Sequence, residues 1–116
     1  MHTHVLMAIV LLSFGSISQA QHLTAAQAKS HEGESATVCG QVAGEHTASN
    51  SRGTPTFVNL DEPYPRQIFT ILIWREDRGR LDALPSPGEH VCVTGLITDY
   101  HGVPEMTIHS KQQMSR

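Results

Sequence analysis

Two cysteines sit mid-way along alternating runs, and that placement restricts the fold more than any other feature. In SATVCGQVAG, Ala36, Val38, Gly40 and Val42 point to one face, and Thr37, Cys39 and Gln41 point to the other. In EHVCVTGLITDY, Val91 and Val93 point inward, Cys92 and Thr94 point outward, and Gly95 is expected to shift the phase. Each run reads as a β-strand, with its cysteine on the face opposite the valines. Neither cysteine has CxxC spacing or an adjacent base, which argues against a metal pair or a thiol nucleophile. A disulfide needs Cα atoms within about 7 Å. Joining Cys39 to Cys92 therefore requires these two strands to be neighbours.

The rest of the chain supplies three further strands. LTAAQAKSH opens on Thr24, a usable N-cap, and Gly33 fits the end of a short helix. EHTASNSRGTP is polar and closes on Gly and Pro, as a loop does, and Gly40 before it suits a bend or bulge. In TPTFVNLDEPYPRQIFTILIW, Val58 and Leu60 face one way, and Phe57 and Asn59 the other. Pro63 and Pro65 lack amide donors and force a turn. The alternation then resumes, with Phe69, Ile71 and Ile73 forming a purely apolar set opposite Ile68, Thr70, Leu72 and Trp74. REDRGRLDALPSPG suits a short helical connection. His101-Gly102 makes a tight turn, and VPEMTIHS returns as a last strand with Met106 and Ile108 inward.

The order is helix, three strands, a short helical connection, then two strands. That is the order of an all-β, five-stranded OB-fold barrel, which closes by pairing strand 1 with strand 4. Those are the two strands that carry the cysteines, so strand order and cysteine placement lead independently to one architecture.

The first twenty residues stand outside this pattern. MHTHVLMAIVLLSFGSISQA has an apolar stretch about half the length of a membrane span and ends on small residues at Ser18 and Ala20. A signal peptide over 1–20 is expected, with Gln21 as the first mature residue, a periplasmic or secreted destination and no membrane span after cleavage. Residues 21–32 are then an N-terminal helical segment, and 33–116 the OB-fold domain. An exported pair of cysteines is most simply a disulfide. The 8 Lys and Arg against 11 Asp and Glu give a net charge of −3, so net charge exerts no strong pull toward DNA or anionic lipid.

The stretches GESATVCGQV, PTFVNLDEPYPRQIFTILIW and VCVTGLITDYHGVPEM resemble small exported bacterial OB-fold proteins of the nucleic-acid-binding, tRNA-anticodon-domain-like superfamily. They are also similar to domains attached to secreted nucleases. The resemblance runs from about Gly33 to Ile108. It implies a DNA- or RNA-binding role and carries no catalytic residue with it.

OB-folds bind on the face of strands 2 and 3, helped by the loops after strands 1 and 4. Phe57, Asn59, Thr70, Leu72 and Trp74 are expected on that face, with Tyr64 at the turn. Arg52 and His46 fall at one rim, Tyr100 and His101 at the other. These aromatics and Arg52 suit weak, salt-sensitive binding of single-stranded nucleic acid, DNA in the first instance. The structural alternatives are that Trp74 covers the bottom of the barrel as core and that Tyr64 packs back to fix its turn. Arg75, Arg78 and Arg80 interleave with Glu76, Asp77 and Asp82, as on a solvated, internally paired face.

His22, His31, His46, His90, His101 and His109 are spread over separate elements without HxxxH spacing. No phosphate loop, nucleophile elbow or Ser-His-Asp order is visible. No metal, cofactor or enzymatic activity is expected. Beside nucleic-acid binding stand two other classes: a protein- or envelope-interaction module with an exported protein partner, and an accessory domain working beside an exported nuclease.

Overall fold

The structure, a computed structural model, describes Ala8 and residues 21–116. Apart from Ala8, the expected signal peptide over 1–20 lies outside the described residues. The strands are β1 (His22–Thr24), β2 (Ser35–Thr47), β3 (Thr56–Leu60), β4 (Phe69–Ile73), β5 (His90–Leu96), β6 (Thr98–Tyr100), β7 (Val103–Thr107) and β8 (Met114–Ser115). Short 3₁₀ helices span Ala25–His31, Arg75–Arg80 and Lys111–Gln113. The fold is all-β. Among the described residues no helix is long and apolar enough to cross a membrane.

The sheet runs β6-β7-β4-β3-β2-β5-β8, with β1 added to β2. β4 pairs with β7 in parallel, and β1 with β2 likewise, while the other pairs are antiparallel. Instead of the closed ring of five strands expected, the described residues form seven strands along an open path, with β1 as an eighth beside β2. Two physical causes account for the difference. β1 and β8 are too short to show any alternation, yet their backbones pair with the edges of β2 and β5. The expected fourth strand also divides at Ile97. There the backbone leaves β2 and bonds the 33–34 turn instead: Gly33 N donates to Ile97 O at 2.7 Å and Ile97 N to Glu34 O at 2.9 Å. β5 keeps β2 as its partner, and β6 takes β7.

The inward faces follow the alternation closely. Val38, Val58, Leu60, Phe69, Ile71, Ile73, Val91, Val93, Met106 and Ile108 are fully buried in one core. Gly95 does not shift the phase, because Val91, Val93 and Ile97 all point into that core. A Cβ at Gly95 would come within 3.2 Å of the Met106 sulfur, so the glycine makes room for Met106. The irregularity expected at Gly40 falls further along, between Val42 and Gly44.

Cys39 lies directly opposite Cys92 in the β2–β5 register. Their Cα atoms are 4.0 Å apart and their sulfurs, at 2.07 Å, are bonded. The helical segment after β1 is 3₁₀ in type and capped at Thr24. The Thr24 hydroxyl accepts from Gln27 N at 3.3 Å, and Thr24 N donates to the Gln27 side chain at 2.9 Å. Three residues per turn put Ala25 and Ala28 on one face, and both are fully buried.

The expected helical connection follows β4 as the 3₁₀ turn Arg75–Arg80. Asp77 at its centre is 2 % exposed and accepts from Arg80 at 3.0 Å. His109 Nδ1 meets the other Asp77 oxygen at 2.8 Å, tying the turn to the C-terminal segment. Arg78 donates to Thr54 O. Two of the three arginines are thus taken up by contacts within the protein.

Candidate functional site

The strand face turned away from the core carries a polar row. Successive register positions place Asn59 beside Thr70, Thr70 beside Glu105, and Glu105 beside Thr98. The row crosses β3, β4, β7 and β6, one residue from each. The Thr70 hydroxyl donates to the Asn59 side-chain oxygen at 3.1 Å. Asn59, Thr70 and Glu105 are all buried, at 5 %, 5 % and 8 % exposure.

These three residues form the floor of a groove of about 550 Å³. Its walls are His46 and Ala48 from the end of β2, Phe57, Tyr64 and Gln67 from β3 and the following loop, and Tyr100 and Val103 from the β6–β7 hairpin. Tyr64 and Tyr100 are 75 % and 57 % exposed, whereas Phe57 is half-buried. Tyr64 therefore does not pack back onto the sheet. The proline-flanked turn instead holds its ring out at the groove wall. Tyr100 is steadied by an edge-on contact with the His101 ring, 4.3 Å between centroids.

Six of the residues expected at the site meet here: His46, Phe57, Asn59, Tyr64, Thr70 and Tyr100. Leu72, buried at 7 % exposure, and His101, which packs on Tyr100, do not line the groove. Trp74 and Arg52 lie elsewhere. Trp74 lines a separate hollow with Gly53, Thr54, Arg75 and Glu76. The Cε3–Cζ3 edge of its ring lies against Gly53, where a Cβ would stand 2.8 Å from Trp74 Cε3, and Gly53 has φ +76°. Only glycine suits that loop position. Arg52 is exposed beside it and lines neither cavity. The groove lining holds no Lys or Arg, so the cationic support that Arg52 was expected to give is not at the groove.

Sequence reasoning passed over four of the groove residues, the apolar Ala48 and Val103 and the polar Glu105 and Gln67. With Met106 inward, alternation alone turns Glu105 outward; its neighbours required the parallel β4–β7 pairing. Burial pushes the Glu105 carboxyl above its ordinary value of 4.5, with no second influence on it. Gln67 Oε1 is buried without a hydrogen-bond partner among the described residues.

The Glu105 shift has a consequence for stability. A carboxyl whose folded value is raised holds its proton more tightly when folded, so stability falls as pH rises from 4.5 through the raised value. Glu105→Gln is expected to remove that decline, and so to gain on the wild type as pH rises. Urea unfolding of both proteins at a series of pH values reads the difference, with His46 common to both. Parallel profiles would show that Glu105 is not strained by burial.

No family model matches the chain, and no curated protein matches it. Among solved structures, it is similar to a Leishmania major Friedlin protein described as an aspartyl-tRNA synthetase, with a TM-score of 0.56 over 89 % of this chain. Identity is 9 %, so the likeness is one of fold. The chain spans 22 % of that protein's length.

Proposed function

We propose that this chain is an exported, non-catalytic binding module that holds a short segment of single-stranded nucleic acid in the groove above Asn59, Thr70 and Glu105. The observation that carries the proposal is the pair of exposed tyrosines, Tyr64 and Tyr100, standing with Phe57 around a buried polar floor. Aromatic walls offer faces on which bases stack, and a polar floor offers partners to their edges. The arrangement of strands supports an OB-type origin. If β5 and β6 are taken as two halves of one strand divided at Ile97, then β2, β3, β4, that strand and β7 follow the expected order, which favours this reading. A fold likeness to part of a protein named for charging tRNA points the same way. The bonded cysteines suit an oxidising compartment, as an exported chain meets.

Binding rests on stacking more than on phosphate contacts, because the lining carries no Lys or Arg. The salt dependence is therefore expected to be shallow, unlike that of a protein neutralising several phosphates. Fluorescence anisotropy with a short labelled single strand tests the proposal. Tyr64→Ala and Tyr100→Ala are each expected to weaken binding about tenfold, from roughly 1–3 kcal/mol per stacked base. Trp74→Ala, in the other hollow, is expected to leave affinity unchanged. Absence of binding by the wild type at low salt would refute the proposal and favour a protein partner for the same aromatics.

A further inference from the structure

The groove floor has a property that general strand binding does not use. Glu105 is 8 % exposed and lines the groove together with Asn59, Thr70 and the aromatic walls. Gln67 lines the same groove, and its Oε1 is buried without a hydrogen-bond partner among the described residues. Polar groups buried this deeply ordinarily have partners, and leaving them without is costly. The missing partner is best supplied by whatever occupies the groove.

We infer that the groove selects guanine, with the Glu105 carboxylate accepting the two adjacent N–H donors of the base's Watson–Crick edge. This rests on the proposed strand binding and names the base that the same groove takes. The chemistry discriminates among the bases. An ionised carboxylate is an acceptor with two oxygens, suited to a side-by-side pair of donors. Guanine presents that pair at N1 and N2. Adenine and cytosine each set an acceptor ring nitrogen beside their amine, which would face a carboxylate oxygen in repulsion. Thymine and uracil present one N–H between two carbonyls.

The Gln67 amide can offer either its oxygen or its NH₂ to the groove, so it can complete the edge by donating to guanine O6. The walls suit a base as well. Phe57, Tyr64 and Tyr100 give apolar faces to a flat ring, and a lining without Lys or Arg leaves nothing to prefer phosphate over base. Burial that disfavours an unpaired charge on Glu105 is relieved when two donors arrive. A base that cannot donate leaves that strain in place.

The test uses the mature chain and labelled oligothymidylates bearing one central guanine, adenine, cytosine or hypoxanthine, read by fluorescence anisotropy. The guanine strand is expected to bind on the order of 10-fold or more tightly than the adenine, cytosine and all-thymine strands. Hypoxanthine, which keeps N1–H but lacks the N2 amine, is expected to fall between. Glu105→Gln is expected to bring all the strands to similar affinity, and urea unfolding checks that this variant is folded.

Equal affinity of the wild type for all the strands would overturn the guanine inference and leave strand binding standing. No binding by any strand would overturn both. Guanine preference that survives Glu105→Gln would also overturn it. Displacement of the guanine strand by N-acetyl-arginine amide but not by guanosine would overturn it too, reassigning the carboxylate to a guanidinium on a protein ligand.

Discussion

Replacing Cys39 and Cys92 together by alanine is expected to cost the domain about 4 kcal/mol, lowering its melting temperature by on the order of 20 °C. The two residues are 53 apart in sequence, and the loop they close contains β3, β4 and the connection to β5. Opening it returns to the unfolded chain the freedom to separate those elements, at a loss near 4 kcal/mol in the chain-entropy picture. The pair is only partly buried, so the alanines leave little cavity and the loss is chiefly entropic. For a domain of this size, with total stability of roughly 5–15 kcal/mol, that is a large share. Calorimetric melting of the oxidised wild type, the reduced wild type and the double variant reads it. The last two should melt together, well below the first. A variant melting within a few degrees of the oxidised protein would show that the sheet is held by its packing alone.

Phe69→Ala is expected to cost 3–5 kcal/mol, the range for emptying a buried aromatic site. Phe69 has no exposed surface, opens β4 and sits opposite Leu60 in the β3–β4 register. Its loss leaves a void beneath the hairpin that carries Phe57 and Asn59. One residue along, Thr70 turns to the other face and lies on the groove floor. Tyr64→Ala, at the exposed wall, is expected to change stability by no more than about 0.5 kcal/mol. Urea unfolding of both variants separates the faces. A Phe69→Ala cost under about 1 kcal/mol would mean that the core closes over the gap.

Much of this architecture can be read along the chain because alternation is a local, steric property. Val58 and Leu60, Phe69 and Ile71, and Val91 and Val93 declare an inward face without reference to any partner. Facing cysteines on two such strands were enough to make β2 and β5 neighbours, and the register bears this out residue for residue. The proline-flanked turn likewise marked Tyr64 as a residue set apart from both strands. Alternation is silent where elements are too short to repeat, as in β1 and β8, and where a strand changes partner without losing phase, as at Ile97.

The groove was legible in part, for the same reason. Phe57, Asn59 and Thr70 follow from the outward phase of one hairpin, and Tyr100 from the tip of another. Trp74 shares that phase on paper. It follows the last residue of β4 and meets a glycine loop, where Gly53 leaves room for the edge of its ring, and so lies away from the others. That displacement depends on the path of a loop, which polarity does not encode.

Chain order and side-chain period by themselves determined the all-β class, the inward faces and the cross-strand sulfur pair. Only the tertiary structure set β7 parallel to β4, which carries Glu105 to Thr70 across 35 residues of sequence. A strand's faces are decided by its own backbone, but its neighbours are decided by how the whole chain closes around one core.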